Sequence, residues 1–160
     1  MAPSSISSIR KRFKYDVYLS FMGLDTRGNF VDHLYHALQQ HGILTYKDDG
    51  IILRGSMIGD ELLRSIRDSK FIIIVFSKNY ASSSWCLNEL VEIMECHKTA
   101  EQTAYPVYFD VEPSEVRKQI GAVGEAFSKH SNNEAAGKWR RALQEAADLP
   151  GWELKYTADG

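Results

Sequence analysis

Apolar and polar positions along the chain follow two periods, one typical of strands and one typical of helices. Residues 15–21 (YDVYLSF) alternate apolar and polar side chains, which predicts a strand. Residues 26–41 repeat apolar positions at helical spacing, with Asp25 or Thr26 as the expected N-cap and Gly42 as the expected stop. The positions that recur at helical spacing are Phe30, Leu34, Ala37, Leu38 and His41.

The rest of the chain continues the alternation of strands and helices. Further strands are predicted at 43–47, 71–76, 105–111 and 152–155, and further helices at 57–68, 84–98 and 137–147. The strand 71–76 (FIIIVF) is apolar throughout, which is typical of a strand inside a parallel sheet with both faces covered. We therefore expect a single α/β domain of the flavodoxin-like class, a five-stranded parallel sheet in the order 2-1-3-4-5 flanked by helices.

The two ends of the chain fall outside this pattern. Residues 1–13 are rich in serine, end in a basic cluster and lack the apolar stretch of a secretory signal, so we interpret them as a disordered leader. The folded domain is expected over 14–156. Residues 157–160 are interpreted as the start of a final helix that is truncated or missing.

A ligand site is expected where the strand order reverses, because open parallel sheets bind ligands beyond the carboxyl ends of their strands at that point. With the order 2-1-3, the crevice lies between strands 1 and 3. It is lined by the predicted loops 22–26 and 48–56 and by the segment 77–85, which leads into the helix 84–98.

The helix 84–98 carries the candidate chemistry of this crevice. Phased at 100° per residue, its sheet-facing side is predicted to consist of Leu87, Leu90, Val91 and Met94. Its opposite side is predicted to consist of Trp85, Glu89, Glu92 and Cys96. Trp85 and Glu89 are one helical turn apart, and an aromatic ring beside a carboxylate suits a nucleotide with a stacked base and a bound ribose. The competing interpretation is a tryptophan packed under the loop 48–56 beside a solvated glutamate.

Several common site types are missing from the sequence. It contains neither GxGxxG nor a Walker-type GxxxxGK[ST], and it has no GxSxG. His33 and His36 are three residues apart but lack further ligands, so no metal is expected. Predicted strand 3 ends in Phe76-Ser77-Lys78, whereas a phosphorelay receiver needs an aspartate there.

Charge and cysteine content exclude further classes of function. The formal net charge of -2 shows no basic excess, so nucleic acid is not an expected partner. No apolar run reaches the roughly 18 residues that span a bilayer, so no membrane contact is expected. Cys86 and Cys96 would lie about 15 Å apart on one helix, too far for a disulfide. A reducing compartment, the cytoplasm or the nucleus, fits best.

Five motifs in order resemble plant Toll/interleukin-1 receptor (TIR) domains. They are YDVYLSF, GLDTRGNFVDHLYHAL, YKDD…LRG, FIIIVFSKNYASSSWCLNEL and YPVYFDVEPSEVRKQIGAVGEAFSKH, and they run from Lys14 to Trp152. The resemblance implies a signalling domain of plant innate immunity, as found in TIR-NBS-LRR disease-resistance proteins and in short TIR proteins. It also implies a homo-oligomer formed through TIR–TIR contacts, or contacts with other TIR domains.

The resemblance further implies that the assembled domain hydrolyses NAD to nicotinamide and ADP-ribose-type products, with NAD as the substrate and no cofactor. Glu89 matches the catalytic glutamate of the pattern SSxWCLxEL. The implied substrate-binding residues are Met22, Gly23, Arg54, Ser83 and Trp85. Met22 stands where the family commonly has an arginine, so a lower affinity for a diphosphate is expected.

The outer face of the first predicted helix is the expected self-association surface, formed by Asp32, His33, His36 and Gln40. A symmetric contact there would bring two Asp32 carboxylates together, and their repulsion would weaken it. Two other functions stay open. One is a non-catalytic interaction module, which Met22 and Leu24 favour. The other is cyclic-nucleotide synthesis from nucleic acid, which the near-neutral charge disfavours. Cys86, next to Trp85, is the residue that this chemistry would use; the competing interpretation of Cys86 is a small buried thiol.

Overall fold

The structure is a computed structural model that describes residues 13–26, 30–47, 59–99 and 101–154. Its strands are β1 (Tyr15–Phe21), β2 (Thr45–Lys47), β3 (Ser69–Phe76), β4 (Thr103–Phe109) and β5 (Trp152–Leu154). Its helices are α1 (Gly23–Thr26), α2 (Phe30–Gln40), α3 (Asp60–Arg67), α4 (Ser84–Thr99), α5 (Pro113–Lys118), α6 (Gly121–Phe127) and α7 (Ala136–Ala147). Two 3-10 turns cover Tyr80–Ser82 and Ser128–His130. Among these helices, none has the length and apolar content needed to cross a membrane.

The predictions for the leader and for the last residues fall outside the described ranges. Residues 1–12 and 155–160 are not among the described residues, and neither is the segment 48–58, which contains Arg54. The predictions for these segments therefore stay predictions.

The five strands form one parallel sheet in the order β2-β1-β3-β4-β5, which confirms the predicted fold class and strand order. β1 pairs on one side with β2, where Val17 lies opposite Thr45, and on the other with β3, where Phe21 lies opposite Val75. The strand order therefore reverses at β1. The carboxyl ends of β1 and β3 lie side by side, where the crevice was predicted.

The first predicted helix differs most from the observed structure. The described residues of the predicted helix 26–41 belong to two helical spans, α1 and α2, and residues 27–29 between them lie outside the described ranges. Asp25 lies within α1, and its carboxylate accepts hydrogen bonds from residues that follow β3. Among the positions that recur at helical spacing, Ala37 and His41 are exposed, since the buried side of α2 is centred on Val31.

Two apolar cores of unequal size lie on the two faces of the sheet. The larger core packs under α3 to α7; its strand side chains include Tyr18, Ile72, Ile74, Phe76 and Tyr108. The smaller core packs under α2 and consists of Val17, Leu19, Phe21, Val31 and Val75 with partly buried neighbours. Because successive strand residues point to opposite faces, neighbours such as Val17 and Tyr18 serve different cores.

Helix α4 is buried on more than its sheet-facing side, which corrects the predicted division into an inner and an outer face. Leu87 and Leu90 are fully buried as predicted, but Trp85, Glu89 and Cys96 on the predicted outer side are buried as well. The reason is that α4 packs not only on the sheet but also against α3 and α7. The interpretation of a solvated glutamate is therefore wrong.

The face of the sheet that carries α2 is covered over only part of its width by the described residues. Phe71 is 43% exposed, Tyr105 37% and Trp152 61%. A groove of about 240 Å³ lies on this face, lined by Phe30, Leu34, Ile73, Tyr105, Val107, Trp152 and Leu154. The apolar run of β3 thus reflects full burial on the α4 side and partial burial on the α2 side.

The edge strand β5 joins the sheet beyond a proline. Pro106 has no amide hydrogen to donate, and the pairing of β4 with β5 begins one residue later, with Val107 opposite Trp152. Gly151 precedes β5 and lies directly against Pro106. A Cβ atom at Gly151 would lie 2.5 Å from the Pro106 carbonyl oxygen and 2.8 Å from its Cγ atom. Only glycine permits this approach of the two backbones.

Replacing Gly151 with alanine is expected to lower the free energy of unfolding by about 1–3 kcal/mol, because β5 would have to move away from β4. Denaturant unfolding measures the change. Gly137→Ala is the matched control: a Cβ atom there meets nothing within 4 Å, and alanine favours the helix. Equal stability of Gly151→Ala and the unchanged protein would contradict the close approach.

Candidate functional site

A buried carboxylate lies beneath the crevice between β1 and β3. Glu89 of α4 is 3% exposed, and its two oxygen atoms accept hydrogen bonds from two hydroxyl groups of β1. Tyr18 Oη donates to Oε2 at 2.6 Å, and Ser20 Oγ donates to Oε1 at 3.1 Å. Tyr18 and Ser20 are two residues apart on a strand, so both point to the face that carries α4.

A second layer of hydroxyl groups supports this arrangement. The hydroxyl of Tyr80, from the 3-10 turn after β3, lies 2.8 Å from Ser20 Oγ and 3.3 Å from the Cys86 carbonyl oxygen. With the Ser20 proton directed to Glu89, the single proton of the Tyr80 hydroxyl is shared between Ser20 Oγ and the Cys86 carbonyl oxygen. Burial raises the pKa of Tyr80 well above its ordinary value, and the nearby Cys86 and Glu89 add to this. Tyr80 therefore stays a neutral donor at physiological pH.

The ring of Tyr18 is fixed by aromatic contacts. It stacks on the Tyr46 ring of β2 with the centroids 5.3 Å apart and the planes 6° from parallel. The Tyr15 ring contacts the Tyr46 ring edge-on, with the two centroids 5.2 Å apart. Tyr46 lies just before the end of β2, where the segment 48–58 begins. The stack therefore holds the hydroxyl that contacts Glu89.

The first turn of α4 is tied to the end of β1. Ser83 is the N-cap of α4, because its Oγ accepts the Cys86 amide hydrogen bond at 3.1 Å. The Cys86 thiol donates to the Phe21 carbonyl oxygen at 3.6 Å, so Cys86 is the small buried thiol that was predicted. Trp85 is 8% exposed and belongs to the larger core, and Met22 packs partly buried against the same core.

The described residues bring most of the predicted site residues to one place. Glu89, Trp85 and Ser83 lie on α4 or at its start. Met22 and Gly23 follow β1, whose last carbonyl contacts the first turn of that helix. Ser83 uses its hydroxyl group as a cap. Arg54 lies outside the described residues, so its predicted role is not tested.

Asp25 organises the mouth of the crevice, a role that the sequence did not reveal. Its carboxylate accepts hydrogen bonds from the Ser77 hydroxyl at 2.6 Å, the Asn79 amide at 2.7 Å and the Asn79 side chain at 2.9 Å. These bonds join the chain after β1 to the chain after β3. The only signal was that polar residues follow two strands predicted to be neighbours.

The predicted self-association surface lies on α2. His33, His36 and Gln40 are exposed as expected. Asp32 forms an ion pair with Lys47 of β2 at 3.3 Å, and the Lys47 ammonium also lies 4.5 Å from the centre of the Tyr35 ring. The charge of Asp32 is therefore partly compensated within its own chain, which weakens the predicted repulsion between two copies. Within the described ranges, no group of three His, Cys, Asp or Glu side chains is arranged to hold a metal.

Together these features define a doubly wound α/β domain with a hydroxyl-bonded, buried glutamate beneath its switch-point crevice. The profile of the TIR domain family matches residues 14–159. The disease resistance protein RPV1 of Vitis rotundifolia is 52% identical over 153 residues, covering 94% of this chain and 11% of that protein. The TMV resistance protein N of Nicotiana glutinosa is 49% identical over 156 residues, covering 94% of this chain and 13% of that protein.

The chain belongs to the TIR domain family, and its relatives are plant disease-resistance proteins. It spans only a small part of the length of the curated relatives that it matches. Among solved structures, it is similar to the TIR domains of the activated Roq1 resistosome that recognises the pathogen effector XopQ. The TM-score is 0.82 with 47% identity, and the match covers 92% of each chain.

Asp25→Ala is expected to lower the free energy of unfolding by about 1.5–3 kcal/mol, because the carboxylate makes charge-assisted bonds to two residues of the neighbouring connection. Denaturant unfolding measures the loss. Asp25→Asn keeps one acceptor oxygen and the side-chain shape, so its loss should be smaller. If the alanine and asparagine variants unfold at the same denaturant concentration as the unchanged protein, Asp25 does not join the two connections.

Proposed function

We propose that this TIR domain self-associates and, once assembled, hydrolyses NAD to nicotinamide and an ADP-ribose-type product. The observation that carries the proposal is the Glu89 carboxylate, which is held in a fixed orientation at the switch-point crevice by hydroxyl groups from β1. Crevices of this kind are where doubly wound sheets bind nucleotides. Family membership supports the same assignment, because Glu89 stands at the catalytic position of the family pattern.

The chemistry requires only one carboxylate. The bond between C1′ of the ribose and the nicotinamide nitrogen breaks with its electron pair going to the ring, which changes from a cation to a neutral leaving group. No acid has to protonate the leaving group, in contrast to ordinary glycosides. Glu89 accepts hydrogen bonds from the ribose hydroxyls and stabilises the positive charge that develops at C1′. Water then adds at C1′ and releases a proton.

The neighbouring residues have supporting roles in this proposal. Trp85 is one turn before Glu89 and encloses the nucleotide, while Ser83 and Gly23 shape the entrance. Arg54 binds a phosphate through its planar guanidinium group. Met22 supplies packing without charge, so the diphosphate is bound less tightly than it would be beside an arginine.

A second candidate function is a non-catalytic interaction module. It is favoured by the burial of the two central side chains, since Glu89 is 3% and Trp85 8% exposed. For NAD to reach Glu89, a neighbouring segment has to move away. An interaction module needs no such movement, and it would retain Glu89 only as a bonded core residue.

We propose that self-association uses the exposed face of α2, formed by Asp32, His33, His36 and Gln40. Two histidines project from this face, and the Asp32–Lys47 ion pair lowers the electrostatic cost of bringing two copies together. The partner is a second copy of this domain or another TIR domain. We further propose a reducing compartment, the cytoplasm or the nucleus, because both cysteines are buried thiols and are not joined in a disulfide.

Glu89→Gln is expected to abolish nicotinamide release by the assembled domain, with a loss of about 100-fold or more, because the neutral amide cannot stabilise the developing charge. The measurement is NAD consumption and nicotinamide release by the concentrated, purified domain. Glu95→Gln, exposed on the same helix, is the matched control and should keep full activity. Failure of the unchanged domain to release nicotinamide, with assembly verified, would favour the interaction module. Met22→Arg then tests whether the missing cation is the cause.

His33→Ala is expected to reduce the fraction of assembled protein without lowering its stability, because the side chain is exposed on α2 and the fold does not depend on it. Light scattering at high protein concentration measures the mass distribution. Gln144→Ala, exposed on α7, is the control and should assemble as the unchanged protein does. An unaltered mass distribution for His33→Ala would show that this face is not the interface.

A further inference from the structure

The hydrogen bond between Tyr18 and Glu89 is shorter than the one between Ser20 and Glu89. The phenol oxygen and the carboxylate oxygen are 2.6 Å apart, against 3.1 Å for Ser20, and Tyr18 itself is fully buried. Hydroxyl–carboxylate bonds of this length are charge-assisted and stronger than bonds between neutral groups. A phenol is also a more acidic donor than the serine hydroxyl, which strengthens its bond to an ionised acceptor.

We propose that Tyr18 is a positioning residue for the reaction, whose hydroxyl keeps the buried Glu89 carboxylate ionised and aimed at the ribose. This inference rests on the proposed function for its catalytic consequence, but the contact itself can be tested without it. A buried carboxylate that loses its donors takes up a proton. A protonated Glu89 would neither accept two ribose hydroxyl bonds nor stabilise the charge that develops at C1′.

The Tyr18 side chain has a fixed place in the larger core. The hydroxyl reaches Glu89 from β1, on the sheet side of α4. The Tyr46 ring stacked on Tyr18 keeps the phenol in place.

Two phenols and a thiol lie near Glu89 among the described residues. Tyr18 approaches from β1, Tyr80 from the 3-10 turn after β3, and Cys86 lies on α4 itself. Burial raises the pKa of Tyr80, so this phenol stays neutral over the pH range of a titration of Glu89.

Tyr18→Phe is the direct test, because it removes only the hydroxyl group and keeps the ring on Tyr46. The first measurement is the pH at which the Glu89 side-chain carboxyl carbon titrates, followed by nuclear magnetic resonance of the domain labelled with ¹³C-glutamate. The signal is assigned by its loss in Glu89→Gln. We expect the midpoint to move to higher pH by about one unit or more, as the loss of one charge-assisted bond implies. The acidic limb of the pH profile of nicotinamide release should move by the same amount.

Two further variants control for a merely structural effect. Tyr108→Phe removes the hydroxyl of another buried tyrosine, one that has no hydrogen-bond partner in the described structure, and should leave both the titration and the profile unchanged. Ser20→Ala removes the longer of the two bonds and should shift the titration in the same direction by less. It also keeps the test decisive if Tyr18→Phe does not fold.

The outcomes separate this inference from the proposed function. If Glu89 titrates at the same pH in Tyr18→Phe, or in Ser20→Ala should the former not fold, the role of the hydroxyl groups is overturned whether or not NAD is cleaved. If the titration moves but the unchanged domain releases no nicotinamide, the contact holds the charge as inferred and the proposed function fails. If both the titration and the acidic limb move together, the positioning role is established.

Discussion

A carboxylate in the interior of a protein must be given hydrogen-bond donors, and the arrangement around Glu89 follows from that requirement. Burial of an unpaired carboxylate costs several kcal/mol. Here β1 supplies the donors, because its alternation turns Tyr18 and Ser20 toward α4 while Val17 and Leu19 turn to the other core. With its charge accommodated, α4 is able to pack against the sheet and two helices at once. Glu89 is therefore both a buried part of the core packing and the central residue of the candidate site.

The residues that the sequence placed correctly are those whose position depends on local periodicity. The parallel sheet followed from the alternation of strands and helices, and Leu87 and Leu90 followed from helical phasing. Phasing failed for Glu89 because it assumes that one side of a helix meets the core, whereas α4 has neighbours on several sides. The contact with Tyr18 joins residues 71 positions apart and leaves no local signal. The role of Asp25 was missed for the same reason.

Strand β2 connects the two surfaces for which functions are proposed. Its neighbouring residues Tyr46 and Lys47 point to opposite faces of the sheet. Tyr46 stacks on Tyr18 on the face of α4, and Lys47 pairs with Asp32 on the face of α2. The candidate crevice and the α2 surface thus lie on different faces but share one short strand. An oligomer formed through α2 would not cover the crevice. Its contacts with Asp32 would nevertheless act on β2, the strand that supports Tyr18.

The three tryptophans of the chain occupy sharply different surroundings. Trp85 and Trp139 are buried, at 8% and 3% exposure, whereas Trp152 is 61% exposed beside the apolar groove on the α2 face. A water-soluble quencher such as iodide therefore reaches essentially one indole. The fraction of the tryptophan fluorescence that iodide quenches therefore reports whether that groove is covered. The cover could be a further segment of the same polypeptide or another molecule.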